Sequence, residues 1–172
     1  MTQDKAITLT RVSKSFRTEG GSNRVLRDVS LRVPAACLYG LIGPGAAGKS
    51  VLLKLLCGLL RPDAGSIVVD SDEITTMSET ALGDYRRKIG MLFQNNALFD
   101  HLSVADNIAF PLRRLTTLSE PEIAERVSER LACVSLAGFE SRLPQGLSGG
   151  QKKRVGVARA TVTRAPIVFY DE

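Results

Sequence analysis

The chain has 172 residues, 44% hydrophobic and 24% charged, with a formal net charge of +5. That length predicts one domain with a core of useful size, and the composition is ordinary for a soluble globular protein. The charge is modest and scattered, with a short cluster at Lys152-Lys153-Arg154, which argues against nucleic acid as the main ligand.

Met1-Thr2-Gln3-Asp4-Lys5 lacks the character of a signal peptide. Ile7 to Val12 alternates apolar and polar residues, as does Val25 to Val33. Thr18 to Asn23 reads as a glycine turn between them, so the pair is expected to be antiparallel. Cys37-Leu38-Tyr39-Gly40-Leu41-Ile42 reads as a buried strand, and Val51 to Cys57 as a helix buried on all sides. Gly40, Gly43, Lys49 and Lys54 interrupt this apolar region, so nothing in it reaches membrane-spanning length.

Between strand and helix stands Gly43-Pro44-Gly45-Ala46-Ala47-Gly48-Lys49-Ser50, which fits G-x-x-x-x-G-K-S/T, a phosphate-binding loop. Its glycines let backbone amides close around phosphate oxygens, and the helix start adds a partial positive charge. Lys49 is placed to reach the β- and γ-phosphates and Ser50 to ligate Mg²⁺.

Arg61 to Gly65 has turn chemistry, Ser66 to Asp70 reads as a strand, and Glu79 to Arg87 as a helix. Ile89 to Gln94 is an apolar strand with a polar end. From Asn95 to Gly146 the pattern is helical, with periodicity over Val104 to Phe110 and Ile123 to Val134. Ser119-Glu120-Pro121-Glu122 has a capping-box pattern, and Ile123, Val127 and Leu131 mark one face. Pro144-Gln145-Gly146 breaks the run. Gln151 to Thr163 is helical, with Val155, Ala158 and Val162 on one face. Ile167 to Tyr170 is a short buried strand leading to Asp171-Glu172. Cys37, Cys57 and Cys133 have no metal or disulfide spacing and read as buried thiols in a reducing compartment. His101, the only histidine, reads as a surface loop residue, and Lys152-Lys153-Arg154 as a solvated helix face.

Leu147-Ser148-Gly149-Gly150-Gln151, at a helix start, resembles the signature of ATP-binding-cassette (ABC) ATPases. With the phosphate loop upstream and Asp171-Glu172 downstream, the resemblance covers nearly the whole chain. It implies an α/β fold: a P-loop NTPase of the ABC type, with a RecA-like core, an antiparallel β part and an α-helical subdomain. The expected segments are 1–94 for the β part and core, 95–146 for the helical subdomain, and 147–172 for the signature helix and acidic strand. The ligands implied are ATP and Mg²⁺. Phe16 is expected to stack on adenine. Gly43 to Val51 are expected to hold the phosphates, and Ser148, Gly149, Gly150 and Gln151 to form a second anion site. Asp171, Ser50 and Gln94 fall at metal positions, with Asp171 acting through water. Glu172 would polarise the attacking water and Gln94 would help place it. Without the signature upstream, Asp171-Glu172 would read as a solvated chain end.

One chain cannot wrap both anion sites around the same γ-phosphate, so the resemblance implies a head-to-tail dimer of nucleotide-binding domains. It also implies a membrane permease partner, placing the chain at the cytoplasmic face of the inner membrane. Three segments, Leu92 to Phe99, Asp106 to Arg113 and Gly48 to Val51, are similar to the Mce/Mla branch, which moves phospholipids. A lipid-binding Mce-type partner follows from that likeness, and nucleic acid is not an expected ligand. The rivals are a cassette for another small solute, and a soluble ABC protein acting in DNA repair or translation. Apolar residues around Leu98, Phe99 and Leu102 suit either a permease groove or local packing.

The sequence departs from the family pattern at Ala46, where glycine is usual, at Val51, where a hydroxyl is frequent, and at Ala35-Ala36. An alanine at a left-handed position costs about 1–2 kcal/mol. The chain stops at Glu172, ahead of the family's final core strands and histidine switch. The 172 residues are therefore expected to be a fragment, marginally stable and nearly inactive alone, with a gap in the central sheet.

Overall fold

The computed structural model describes residues 7–171, so the expectations for Met1 to Lys5 and for Glu172 lie outside the described residues. Packing divides the chain into two compact units between Arg86 and Arg87.

The first unit is built on a four-stranded sheet in the order β2-β1-β3-β4. Strands β1 (Ile7–Thr18) and β2 (Gly21–Val33) form the expected antiparallel pair, and β3 (Ala64–Val69) pairs antiparallel with β1. The two-residue β4 (Asp72–Glu73) closes on β3. Leu9, Val12, Leu26, Ile67 and Val69 supply the buried side. The turn is tighter than its sequence suggests. Phe16 pairs with Asn23 and Thr18 with Gly21, leaving Glu19-Gly20 as the loop. Between Leu9 and Ser15 the register of β1 slips three times. There the nearly buried Ser13 hydroxyl accepts from the Asp28 amide at 3.0 Å and the Arg24 guanidinium at 3.1 Å, replacing lost ladder bonds.

Helix α1 (Lys49–Leu56) is not buried all round. Leu52, Leu55 and Leu56 are buried, Val51 and Leu53 are half-buried, and Lys54 is exposed. Its cover among the described residues includes α2 (Glu79–Arg87). The buried Tyr85 hydroxyl donates to the Leu56 carbonyl at 2.6 Å, and Arg86 donates to the Gly58 carbonyl. These bonds satisfy acceptors that a helix end leaves open. Burial pushes the Tyr85 hydroxyl well above its ordinary pKa.

Residues 37–42 do not form the expected strand. Leu38 is 96% and Ile42 97% exposed, and Cys37 is exposed as well. A strand exists only within a ladder, and no described strand pairs with this segment. Past it, Ala46 has φ 60, the left-handed conformation in which alanine is strained.

In the second unit β5 (Ile89–Leu92) pairs in parallel with β6 (Ile167–Tyr170). The strand stops two residues short of Gln94. Helices α3 (Val104–Leu115), α4 (Glu120–Cys133) and α5 (Gly149–Thr161) pack around Ile108, Leu112, Val127, Leu131, Val155 and Ala158. The capping box at Ser119 forms as read, and Ile123, Val127 and Leu131 are buried together. Cys133 is exposed at the end of α4, so burial holds for Cys57 alone.

Helix α3 outruns its periodicity and continues through Pro111 to Leu115. A proline here removes one backbone bond. Tertiary packing compensates, since Leu112 is fully buried. Arg113 adds to this by pairing with Asp106 at 2.9 Å and with Glu120 at 2.8 Å across the α3–α4 connection. Asn107, also fully buried, donates to the Phe99, Leu102 and Ser103 carbonyls and accepts from the Phe99 amide. One side chain thus pins loop 99–103 to α3.

Two outcomes follow. Ala46→Gly relieves about 1–2 kcal/mol of strain and adds about 0.5–1 kcal/mol of unfolded-state entropy, so a net gain of about 0.5–1 kcal/mol is expected in urea unfolding. The Ser103 hydroxyl, and after it Arg113, hold the Asp106 carboxyl below its usual range. That stabilisation is complete above the unfolded value near about pH 4 and is lost as pH falls through the folded value. Asp106→Asn is expected to show a shallower drop in melting temperature below pH 4 than the parent.

Candidate functional site

In the first unit, Gly43 to Ala47 are exposed and lead into α1 through Gly48, at φ 89. A Cβ at Gly48 would lie 2.9 Å from Leu26 Cδ2 and 2.9 Å from Val25 Cγ1, so the backbone and the neighbouring side chains both demand glycine. Helix α1 opens with no side-chain cap and no acidic residue in its first turn. By contrast α3, α4 and α5 each open on a serine. An uncapped helix start presents amides and a partial positive charge to an anion.

Lys49 folds back over the loop, its Nζ donating to the Gly43 and Pro44 carbonyls at 2.8 Å each. An ammonium has three donors, so one remains for a further acceptor. Ser50 is the second residue of α1, and Val51, half-buried, brings no hydroxyl. This donor set suits a run of phosphates, and a serine hydroxyl oxygen is of the ligand type a hard cation takes.

Phe16 lies on β1 with its side chain 36% exposed, as a stacking platform requires. Lys14 Nζ sits 5.7 Å from its ring centroid and forms a 2.8 Å ion pair with Asp63. Asp63 in turn accepts from the Ser15 amide at 2.6 Å. Lys14, and with it the Ser15 amide, hold the Asp63 carboxyl below its usual range.

The other site residues belong to the second unit. Gln94 is exposed, two residues past β5. Asp171 is only 6% exposed, and its amide donates to the Leu92 carbonyl at 2.9 Å. The end of β6 therefore brings Asp171 beside the strand that leads to Gln94. Ser148 caps α5: its Oγ accepts from the Gln151 amide at 3.3 Å, while Gln151 Oε1 accepts from the Ser148 amide at 2.8 Å. Gln151 thus spends its carbonyl on the cap. Gly149 and Gly150 are exposed, and a Cβ at either would meet open space. Ser148, Gly149 and Gly150 present a second helix start to solvent.

His101 is exposed in the loop before α3, edge-on to Phe99 at 6.1 Å. Phe99 and Phe110 stack at 4.9 Å, and both remain partly exposed. Arg154 donates to the Val134 and Ser135 carbonyls at 3.2 and 3.3 Å, so it braces the end of α4. Sequence reasoning missed Lys14, Asp63, Asn107 and Arg159. Lys14 was within reach, because it stands two residues before Phe16 on the same strand face.

The family model for the ABC transporter matches residues 26–172. A protein named as a probable ribonucleotide transport ATP-binding protein in Mycobacterium tuberculosis is 45% identical over 167 residues, covering 97% of this chain and 45% of its own length. A methionine import ATP-binding protein of Bacillus cereus is 45% identical over 166 residues, covering 96% of this chain and 49% of its own. The chain spans about half the length of the curated relatives it matches. Among solved structures, a dimeric ATP-binding cassette in a post-hydrolysis state bound to ADP and Pi superposes with a TM-score of 0.92 at 29% identity. That match covers 96% of this chain and 73% of the other. The family model spans most of the chain, and the chain belongs to the ABC transporter family.

Proposed function

We propose that the chain is the ATP-binding and ATP-hydrolysing part of an ABC transporter. The observation that carries this reading is the pair of helix starts. Helix α1 opens uncapped behind Lys49, and α5 opens on a self-capped Ser148 with two exposed glycines. Each suits an anion. The solved cassette is a dimer, and in this reading two chains pair head to tail, each signature facing the partner's nucleotide.

In this reading Phe16 stacks on the base. Gly43 to Val51 surround the phosphates, and Lys49 turns its remaining N–H toward the β- and γ-phosphates. Ser50, Gln94 and, through water, Asp171 are the residues that would hold Mg²⁺. Mg²⁺, when bound, neutralises charge on the phosphate oxygens. Glu172 draws a proton from the attacking water and Gln94 orients that water. Ser148, Gly149 and Gly150 offer donors to the γ-phosphate of the opposite protomer.

The partner is a membrane permease at the cytoplasmic face of the inner membrane. No described helix is long and apolar enough to cross a membrane. Phe99, Phe110 and Leu98 form the candidate docking surface, held in shape by Asn107. For cargo, the likeness to the Mce/Mla branch favours phospholipid. The names of the relatives favour a second reading, a small solute of the ribonucleotide or methionine kind. Purification of the intact complex with a lipid-binding partner decides for the first, and with a soluble solute-binding partner for the second. Transport names on both relatives weigh against a role in DNA repair or translation.

Lys49→Ala removes a charge-assisted bond worth about 1.5–3 kcal/mol, so ATP affinity by calorimetry is expected to drop at least about tenfold. Retained affinity would undercut the phosphate cradle. Phe99→Cys is expected to crosslink to a cytoplasmic helix of the permease. Failure at Phe99, Phe110 and Leu98 alike counts against docking there.

A further inference from the structure

Arg159 lies on α5, eleven positions beyond Ser148 and about 16 Å along the same rigid helix. Its guanidinium turns away from the signature and grips backbone. Nη1 donates to the Ala97 carbonyl at 2.7 Å and Nη2 to the Asn96 carbonyl. Both acceptors sit in left-handed residues, with φ 58 at Asn96 and 46 at Ala97. Such a bend is costly for Ala97, and here it presents two successive carbonyls to one planar fork. Burial alone pulls the guanidinium pKa down, and both of its acceptors are neutral carbonyls.

One turn earlier on α5, Gly156 faces the same segment. A Cβ there would come within 2.5 Å of Leu92 Cδ1 and 3.4 Å of Asn96 Oδ1. Helix α5 therefore holds this strip of chain at two points: Leu92 against Gly156, and Asn96-Ala97 against Arg159. Gln94 lies between them in sequence, exposed and carried by a short arc whose ends are both fixed to α5.

We propose that Arg159 is a positioning residue that fastens the Gln94 arc to the helix beginning at Ser148, so that the two travel as one block. The inference rests on the reading of Gln94 as the residue that places the attacking water. A shift of Gln94 on meeting a γ-phosphate is then passed along α5 to Ser148, which answers to the other nucleotide of the dimer. A side chain that touches neither nucleotide joins the two ends.

The test uses the full-length protein with Arg159→Met, which keeps the apolar stem, and Arg159→Lys, which keeps the charge but reaches one carbonyl. Hydrogen exchange over residues 93–98 is expected to speed up about tenfold or more in Arg159→Met, with α4 and the far end of α5 unchanged. The ATPase kcat is expected to fall about tenfold with KM for ATP within about twofold, because the phosphate cradle is untouched. Arg159→Lys is expected to recover part of both effects. If Arg159→Met does not fold, Gly156→Ala attacks the other anchor and is expected to give the same pair of changes. Unchanged exchange over 93–98 in these variants, or an equal rise across all of α5, overturns the proposal. Gln94→Ala separates the two layers: full kcat in that variant removes the role given to Gln94, while the exchange result for Arg159 still reports the fastening.

Discussion

Every helix begins with amides that have no partner inside the helix, and the chain resolves this in two ways. Where a helix only builds, a serine closes its start: Ser103 on α3 and Ser119 on α4. At α1 no side chain does so, and Gly48 adopts a conformation that only glycine holds without strain. With glycine as the capping residue, the structure gives up only about a few tenths of a kcal/mol of capping energy there. The recovery comes when an anion supplies the missing acceptors. At α5 the box between Ser148 and Gln151 shapes the start, while the bare glycines leave its surface unobstructed. Stability is conceded at one helix start and presentation is secured at the other.

Around α5 the second unit is arranged as a lever with a fixed grip. Its buried side, through Val155 and Ala158, joins the core shared with α3 and α4. Asp171 enters the same assembly through the bond from its amide to the Leu92 carbonyl. Three candidate site positions far apart in sequence, Gln94, Ser148 and Asp171, are thereby tied to one strand and one helix. Backbone carbonyls do most of the tying, and these are less easily altered by mutation than side-chain partners.

Much of this was legible in the sequence where local rules and packing agreed. The capping box at Ser119 and the Ile123-Val127-Leu131 stripe appear as read, because spacing on a helix fixes facing. Ala46 takes a left-handed conformation at the position where the family pattern has glycine. Legibility ended where a residue depends on partners remote in sequence. Residues 37–42 look like a strand by composition, but a ladder needs a neighbour that no local pattern guarantees. Helix α3 passes Pro111 because Leu112 and Arg113 are held from outside the helix. Arg159 gave no signal at all, since its acceptors are main-chain atoms more than sixty positions away.

The bare ribbon at Leu38 to Ile42 has a practical consequence for anyone handling the chain. Apolar side chains exposed together along one segment are a surface on which other polypeptides collect. Clumping at high concentration and capture by chaperones are the behaviours such a surface invites.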